Sequence, residues 1–238
     1  MALPIVNSAK YLVTIPSTGV EVEYRPYTVK EEKILMIALE SKDQKQILRA
    51  LKDVIANCIT QEISVEDFTL FDFEVLFLAL RAKSVGEQVE LQLKCDDEEC
   101  NGVSPVGINL EQIKLTDMPE SKTVLIDKNI GVIFRYPSVE MTSKYDPEDE
   151  SGNQVDAAFD MIIDCIDEIF DEENVYDAKD ETKESLTGFI ESLSSQQFQK
   201  ISDFFSKIPT LAHDVEFKCV TCGKENNLEL KGLQSFFT

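Results

Sequence analysis

Hydrophobic positions recur with two different periods along this chain of 238 residues, and the changes of period divide it into five segments. In segment 1–26, β-prone runs at residues 11–15 and 20–24 flank a Pro-Ser-Thr-Gly turn, which predicts an N-terminal hairpin. In segment 27–86 the period lengthens to three or four residues, which predicts a layer of helices.

Three helices are predicted in this helical layer. The first begins at the capping box that Thr28 and Glu31 can form. The second spans residues 43–58, and the third begins near residue 64 or a few residues later and ends before Gly86. The expected inward face of the first helix consists of Ile34, Leu35, Ala38 and Leu39.

Segment 87–136 returns to strict alternation, which is typical of strands. Single strands are predicted at residues 89–93 and 103–110. A further hairpin is predicted from residues 122–126 and 130–136, which flank an Asp-Lys-Asn turn.

Segment 137–210 is predicted to be an acidic helical region. Helices are expected at residues 155–170, at residues 186–193, and from a capping box at Ser194 to Pro209. Segment 211–238 contains strands at residues 214–218 and 227–231, and it ends in an apolar tail that should pack against this protein or a partner.

The five segments together predict an α+β protein of one or two compact domains, in which helical layers surround a small antiparallel sheet. No apolar run approaches the ~18 residues that a membrane span requires. The N-terminal residues also lack the basic and apolar regions of a signal peptide.

Four of the six cysteines form two closely spaced pairs, Cys95 with Cys100 and Cys219 with Cys222. Each pair follows an alternating run of the form apolar–polar–apolar–Lys–Cys, and turn residues follow each pair. Two such turns supply four thiolates, which is the tetrahedral ligand set of a structural zinc site. We expect one structural zinc per chain, in a zinc-ribbon-like site that joins the mid-chain strands to the C-terminal strands.

Other interpretations of the cysteines are less favourable. Two disulfides are possible, but nothing indicates secretion, and the separate Cys58 and Cys165 are interpreted as packed core thiols. A redox-active pair normally opens a helix, whereas Cys219 and Cys222 lie between two predicted strands. His213, six residues before Cys219, is a possible substitute ligand but is better explained by packing.

The charge excludes several classes of partner. The chain has 45 acidic residues against 23 Lys and Arg, a net charge of −22, which disfavours nucleic acids and anionic membranes. Residues 140–185 alone contain 17 acids and three lysines, a net charge of −14. This stretch is either a solvated acidic face or a docking surface for a basic protein. Its loop at residues 146–153 lacks the spacing of a calcium loop.

Enzymatic motifs are missing from the sequence. It contains no phosphate-binding glycine loop, no H-E-x-x-H and no G-x-S-x-G, and His213 is its single histidine. The abundance of carboxylates makes any proposed acid–base pair uninformative. We therefore expect no catalytic residues and no enzymatic activity.

Several short segments resemble one known family, in order along nearly the whole chain. They are residues 16–19 with 24–26 and 30–33, residues 81–87 leading to Cys95 and Cys100, residues 136–137 and 209–213, and Cys219 and Cys222 with residues 232–237. In these segments the chain resembles the baseplate hub protein family of T-even-type contractile-tailed bacteriophages.

This resemblance implies a non-enzymatic baseplate hub component, or a hub assembly protein, that acts through contacts with other hub or tail proteins. It also implies a location in the virion tail baseplate, or in the host cytoplasm during assembly. An acidic, zinc-stapled adaptor or chaperone that shields a basic partner through residues 140–185 is the alternative. A zinc-ribbon nucleic-acid factor is a third hypothesis, which the net charge opposes.

Overall fold

The structure is a computed structural model that describes residues 8–144 and 154–236. The loop at residues 146–153, with its calcium-like composition, lies outside the described residues. The chain divides into two compact units. Unit 1 comprises Met1–Thr116 and Thr210–Thr238, and unit 2 comprises Asp117–Pro209.

The described residues form seven α-helices and eleven strands, with short 3₁₀ helices between them. The strands are β1 (Tyr11–Thr14), β2 (Glu21–Tyr24), β3 (Gln88–Lys94), β4 (Val103–Asn109), β5 (Lys114–Leu115), β6 (Thr123–Leu125), β7 (Gly131–Phe134), β8 (Ile166–Phe170), β9 (Val175–Asp177), β10 (Leu211–Lys218) and β11 (Glu225–Lys231). The helices are α1 (Val29–Ser41), α2 (Gln44–Cys58), α3 (Leu70–Ser84), α4 (Val139–Lys144), α5 (Gln154–Asp164), α6 (Lys183–Glu191) and α7 (Ser195–Phe205).

The α+β class is confirmed, but the single small sheet is wrong. The strands form four separate sheets: β1–β2, β3–β4, β11–β10–β5 and β6–β7–β8–β9. Every strand pair in them is antiparallel. Sequence alternation identifies strands but not their partners, because pairing joins segments that are distant along the chain.

The N-terminal hairpin and the three helices of unit 1 lie where the sequence predicts them. The carboxylate of Glu31 accepts the backbone N–H of Thr28 at 2.8 Å, which completes the capping box of α1. Burial by itself would raise the pKa of Glu31, but hydrogen bonds from Arg25 and Thr28 outweigh it and lower this pKa to about 2. The third helix begins at Leu70, after a 3₁₀ helix at Val65–Asp67.

Helix α3 is the central element of unit 1 and is buried on several sides. Its side chains at Phe71, Phe73, Leu76 and Leu80 are at most 1% exposed. The fully buried carboxylate of Asp72 accepts the backbone N–H of Ser17 at 2.8 Å, which ties the turn of the first hairpin to this helix. A helix that is apolar all round needs neighbours on every side, and the hairpins of unit 1 provide them.

The two long hairpins of unit 1 share a core with α3. Strand β3 pairs with β4 along its full length, β10 pairs with β11, and β5 pairs with the start of β10. The chain then forms a 3₁₀ helix at Leu233–Phe236, and the ring of Phe236 is fully buried. The described part of the predicted apolar tail, up to Phe236, therefore packs against its own protein. The buried members of this core are Leu78, Ala82, Leu91, Leu93, Ile108, Leu110, Ile113, Leu211, Val215 and Phe236.

The buried carboxylate of Glu74 also holds the C-terminal segment. We expect Glu74→Gln to stabilise the protein by about 1 kcal/mol at pH 7. The Glu74 Oε1 atom accepts the backbone N–H of Leu233 at 3.1 Å, and burial raises the pKa of this carboxyl group. Because the folded-state pKa lies above the unfolded-state value, ionisation destabilises the fold as the pH rises. Backbone N–H groups of Leu233 and Leu211 both donate to this carboxylate, and the carbonyl oxygen of glutamine can still accept from Leu233 without a buried charge.

Thermal unfolding from pH 4 to pH 8 tests this expectation. The stability difference between the Glu74→Gln variant and the wild type should grow as the pH rises through the raised pKa of Glu74. Glu66→Gln, at an exposed position, is the control and should show no such trend. A Glu74→Gln protein that is less stable at every pH would contradict the argument.

Unit 2 contains a four-stranded sheet and helices α4 to α7. Phe134 of β7 is fully buried, and its ring centroid lies 5.4 Å from that of Phe204 in a stacked arrangement. The ammonium group of Lys200 donates to the carbonyl oxygens of Leu125 at 3.1 Å and Ile126 at 2.9 Å. Aromatic packing and these hydrogen bonds hold α7 against the strands of its own unit.

The helix predicted at residues 155–170 is wrong in its last six residues. Helix α5 ends at Asp164, and Ile166–Phe170 is strand β8, which pairs with β7 on one side and β9 on the other. The guanidinium of Arg135 donates twice to the carbonyl oxygen of Asp164, at 2.9 and 2.6 Å, where the helix stops. Isoleucine spacing here fits a helix or a strand, and sheet pairing favours the strand.

The sequence predicts no membrane span. In the part of the chain that the structure describes, no helix combines the length and apolar character that crossing a bilayer requires.

Candidate metal centre

The four paired cysteines come together at one end of the two long hairpins of unit 1. Cys95 and Cys100 lie in the turn between β3 and β4, and Cys219 and Cys222 lie in the turn between β10 and β11. Their four Sγ atoms all lie within 4.8 Å of one another. The Sγ atoms of Cys95 and Cys222 are 3.7 Å apart, and those of Cys100 and Cys219 are 3.9 Å apart.

Local hydrogen bonds shape each turn so that its sulfur atoms point the same way. In the first turn, the backbone N–H of Cys95 donates to the carbonyl of Gly102 at 2.9 Å. In the second turn, the N–H of Cys219 donates to the carbonyl of Lys224 at 2.8 Å. The chain reverses there through Gly223, whose φ of +76° lies in the left-handed region that favours glycine.

Hydrogen bonds between the two turns hold the pairs of cysteines together. The buried hydroxyl of Ser104 accepts the backbone N–H of Val220 at 3.1 Å. The buried side chain of Asn226 accepts the N–H of Asp96 at 2.8 Å. The ammonium of Lys224 also lies 2.8 Å from the Asp96 carboxylate. These partners come from opposite hairpins, so they position the four sulfur atoms relative to one another.

Gly102 allows the closest approach of the two turns. A Cβ atom at Gly102 would lie 2.6 Å from Thr221 Oγ1, 2.8 Å from Thr221 Cβ and 2.9 Å from Cys219 Sγ. These distances are shorter than van der Waals contact, so only glycine fits without movement of the second turn. The sequence indicates a turn at Gly102, but it does not indicate this contact.

Backbone N–H groups surround the sulfur of Cys219, which is 2% exposed. Hydrogen bonds from the N–H groups of Cys222 and Thr221 lower the pKa of the Cys219 thiol to about 6. At Cys95 a hydrogen bond from Asp97 acts in the same direction, but burial and the neighbouring sulfur atoms raise its pKa overall. Four ionisable sulfur atoms at this separation therefore influence one another's protonation.

The remaining candidates lie away from this cluster. Cys58 and Cys165 are fully buried, and burial raises their pKa values to about 11 and about 12, so they are packed core thiols, as predicted. His213 lies in β10 opposite Leu230 and is not part of the group of cysteines. Sequence reasoning missed Ser104 and Asn226, because a single polar residue in a strand carries no signal of its partner.

Comparison with known proteins gives the class of this α+β protein. The model of the family described as T4 bacteriophage base plate protein matches residues 8–238, so the chain belongs to that family. Baseplate hub assembly protein gp26 of Enterobacteria phage T4 is 27% identical over 214 residues, which cover 90% of each chain. No solved structure matches this chain.

Family membership confirms the resemblance that the sequence segments indicate. It also confirms the expected location, which is the virion tail baseplate or, during assembly, the host cytoplasm. The matched region includes both units and all four clustered cysteines.

Proposed function

We propose that this chain is a non-enzymatic baseplate hub component or hub assembly protein that acts by binding other hub or tail proteins. The observation that carries this proposal is the similarity to a baseplate hub assembly protein over 90% of both chains. Similarity of that extent includes residues of both units, so it is not confined to one shared module.

Helix α1 supports a role in protein contact, because four large apolar side chains are exposed on its outer side. Val29 is 79% exposed, and Met36, Ile37 and Leu39 are each 58% exposed. Leu39 was expected to face inward, so this part of the predicted inward face is wrong. We call these four residues the α1 apolar face. Exposed apolar side chains grouped on one helix mark a surface that a partner can cover.

We infer that another baseplate protein covers the α1 apolar face. Membership in a base plate protein family supports this occupant over an unrelated protein. A second copy of this chain is a competing occupant, which the test below separates. Lys33 and Glu40 are also exposed, and at 3.6 residues per turn they lie between the apolar positions, so a partner must accommodate both signs of charge here.

Replacing Met36 and Ile37 together by lysine tests this surface. Both side chains are exposed, so the protein should fold normally, whereas binding to the co-expressed hub proteins of the same phage should weaken at least tenfold, equivalent to about 1.4 kcal/mol. Affinity purification followed by titration calorimetry measures the effect.

The matched control is Val175→Lys, at an apolar position in β9 that is 66% exposed. It should leave hub binding unchanged. Wild-type affinity in the α1 variant would contradict the role of the α1 apolar face. Loss of self-association without loss of hub binding would assign that face to a second copy instead.

Quantitative mass spectrometry of purified virions separates the two forms of the proposal. A fixed ratio to a major tail protein would make the chain a structural hub component. Presence in tail precursors and absence from mature virions would make it an assembly protein. Absence from both, together with no binding to hub proteins, would reject the proposed function.

The acidic stretch supports a second candidate, in which residues 140–185 bind a basic protein surface. The described acids of this stretch are exposed or half-buried, and Asp156, Glu172, Glu173, Asp180 and Glu184 are exposed. Clustered exposed charge of one sign accelerates association with an oppositely charged partner and makes it sensitive to salt.

Replacing these five acids by Asn or Gln should then slow association with a basic hub partner at least tenfold at low salt. The control neutralises five exposed acids of unit 1 outside the α1 apolar face: Glu21, Asp53, Glu62, Glu66 and Asp67. Surface plasmon resonance at several salt concentrations measures the rates. Equal slowing in both variants would show an effect of net charge alone, and no slowing would reject the acidic surface.

A further inference from the structure

The geometry of the four-cysteine cluster fits a tetrahedral metal ion. With Zn–S bonds of about 2.3 Å, the sulfur atoms at the corners of a tetrahedron are about 3.8 Å apart. The two Sγ–Sγ distances across the cluster, 3.7 and 3.9 Å, lie on either side of this value. They are far longer than the ~2.05 Å of a disulfide bond, and all four cysteines are free.

The backbone of each turn provides hydrogen-bond donors for its sulfur atoms. Backbone N–H groups donate to sulfur in both turns, from Asp97 to Cys95, from Gly102 to Cys100, and from Thr221 and Cys222 to Cys219. Such hydrogen bonds stabilise negative charge on sulfur, and they orient each ligand before a metal arrives. The ammonium of Lys224 lies beside the second turn, where it pairs with the carboxylates of Asp96 at 2.8 Å and Asp97 at 3.8 Å.

We propose that Cys95, Cys100, Cys219 and Cys222 bind one Zn²⁺ ion as four thiolates, and that this zinc is structural. Binding displaces the thiol protons that the four sulfur atoms still carry as four S–Zn bonds form, with no change of oxidation state. All four coordination positions come from the protein, so none remains for water or a substrate, and the site lacks the open position of a catalytic zinc. This inference is independent of the proposed function.

The zinc closes the turn end of both hairpins, whereas the core holds their other end. Leu91, Val215 and Phe236 are buried in the core that α3 shares with the hairpins, and that packing needs no metal. Removal of zinc should therefore loosen the two turns first and leave the remainder of unit 1 folded. This geometry specifically predicts that the two turns depend on zinc while the rest of unit 1 stays folded without it.

Metal analysis of the full chain, purified without added metal or chelator, tests the site directly. We expect one zinc per chain by elemental analysis. Metal-free protein titrated with Co²⁺ alone should develop the intense visible absorption of tetrahedral cobalt thiolate, which Zn²⁺ then abolishes. Fully folded protein that contains no zinc and binds neither ion would overturn the proposal. Tetrahedral sulfur sites accept iron as well as zinc, so stoichiometric iron in place of zinc would also overturn the proposal.

Ligand variants assign the zinc to this cluster. Cys219→Ser combined with Cys222→Ser should lose the zinc, whereas Cys58→Ala and Cys165→Ala should each keep one zinc per chain. Retention of zinc by the double variant would contradict the assignment. Because the double variant can fail to fold, the wild-type protein provides a second measurement.

Hydrogen exchange of the wild-type protein, with and without a chelator, is that measurement. Protection should fall at least tenfold at residues 95–103 and 219–225 when zinc is removed. Strand β8, which lies in unit 2 and contains no ligand, serves as the internal reference. Equal exchange in the two turns with and without zinc would overturn the structural role.

Discussion

Replacing Gly102 by alanine is expected to destabilise unit 1 by about 3 kcal/mol, the upper part of the usual cost of overpacking. The added methyl group would lie 2.8 Å from Thr221 Cβ and 2.9 Å from Cys219 Sγ. Thr221 can rotate its hydroxyl group away, but its Cβ atom is fixed to the backbone of the second turn. The turns must therefore move apart, and the proposed zinc affinity should fall at least tenfold.

Gly107→Ala is a matched control for this variant. Gly107 lies in β4, the strand that follows the first turn, and a Cβ atom there would have no neighbour within 4 Å. Denaturant unfolding and competition with a chromogenic chelator measure stability and zinc affinity of both variants. If Gly102→Ala behaved like Gly107→Ala in both measurements, close packing of the two turns would not be required for the site.

Replacing Phe236 by alanine is expected to destabilise the protein by about 4 kcal/mol. Its ring is fully buried in the core that contains Leu78, Leu110 and Leu211. Removing the ring loses its apolar burial and leaves a cavity that the surrounding strands cannot fill completely. Because Phe236 is the last residue of the 3₁₀ helix at Leu233–Phe236, the C-terminal segment should also detach more often.

Two controls test whether the cost comes from the buried volume of the ring. Phe236→Leu keeps most of the apolar volume and should cost less than about 1.5 kcal/mol. Val220→Ala, at an apolar position that is 68% exposed, should have almost no effect. Denaturant unfolding gives the free energies, and limited proteolysis reports detachment of the terminus. A cost below 1 kcal/mol for Phe236→Ala, on the order of a surface substitution, would show that the tail is not anchored by this ring.

The elements of unit 1 follow from local sequence, because their signals act within a few residues. Thr28 with Glu31 and Thr69 with Asp72 form capping boxes where α1 and α3 begin. Strict alternation in β3 and β10 likewise reports one buried and one exposed face. Such signals locate an element without any knowledge of its neighbours.

Strand β8 shows where local signals are insufficient. The isoleucines at positions 162, 163, 166 and 169 satisfy a helical period, and Ile166 and Ile169 nevertheless belong to a strand. The choice depends on β7 and β9, whose unpaired backbone groups β8 satisfies on both sides. Leu39 illustrates the same limit, since periodicity places it with Ala38, yet Ala38 is buried and Leu39 is 58% exposed among the described residues.

The candidate metal centre was likewise predictable only in part from local sequence. The identity of its four cysteines was predictable, because two short Cys-to-Cys spacings beside turn residues are visible in the sequence. Their convergence within 4.8 Å required the two hairpins to pack side by side, with Ser104 and Asn226 bonded across the gap and Gly102 permitting close approach. Short-range chemistry is encoded in neighbouring residues, whereas contacts between residues more than 100 positions apart depend on how the whole of unit 1 folds.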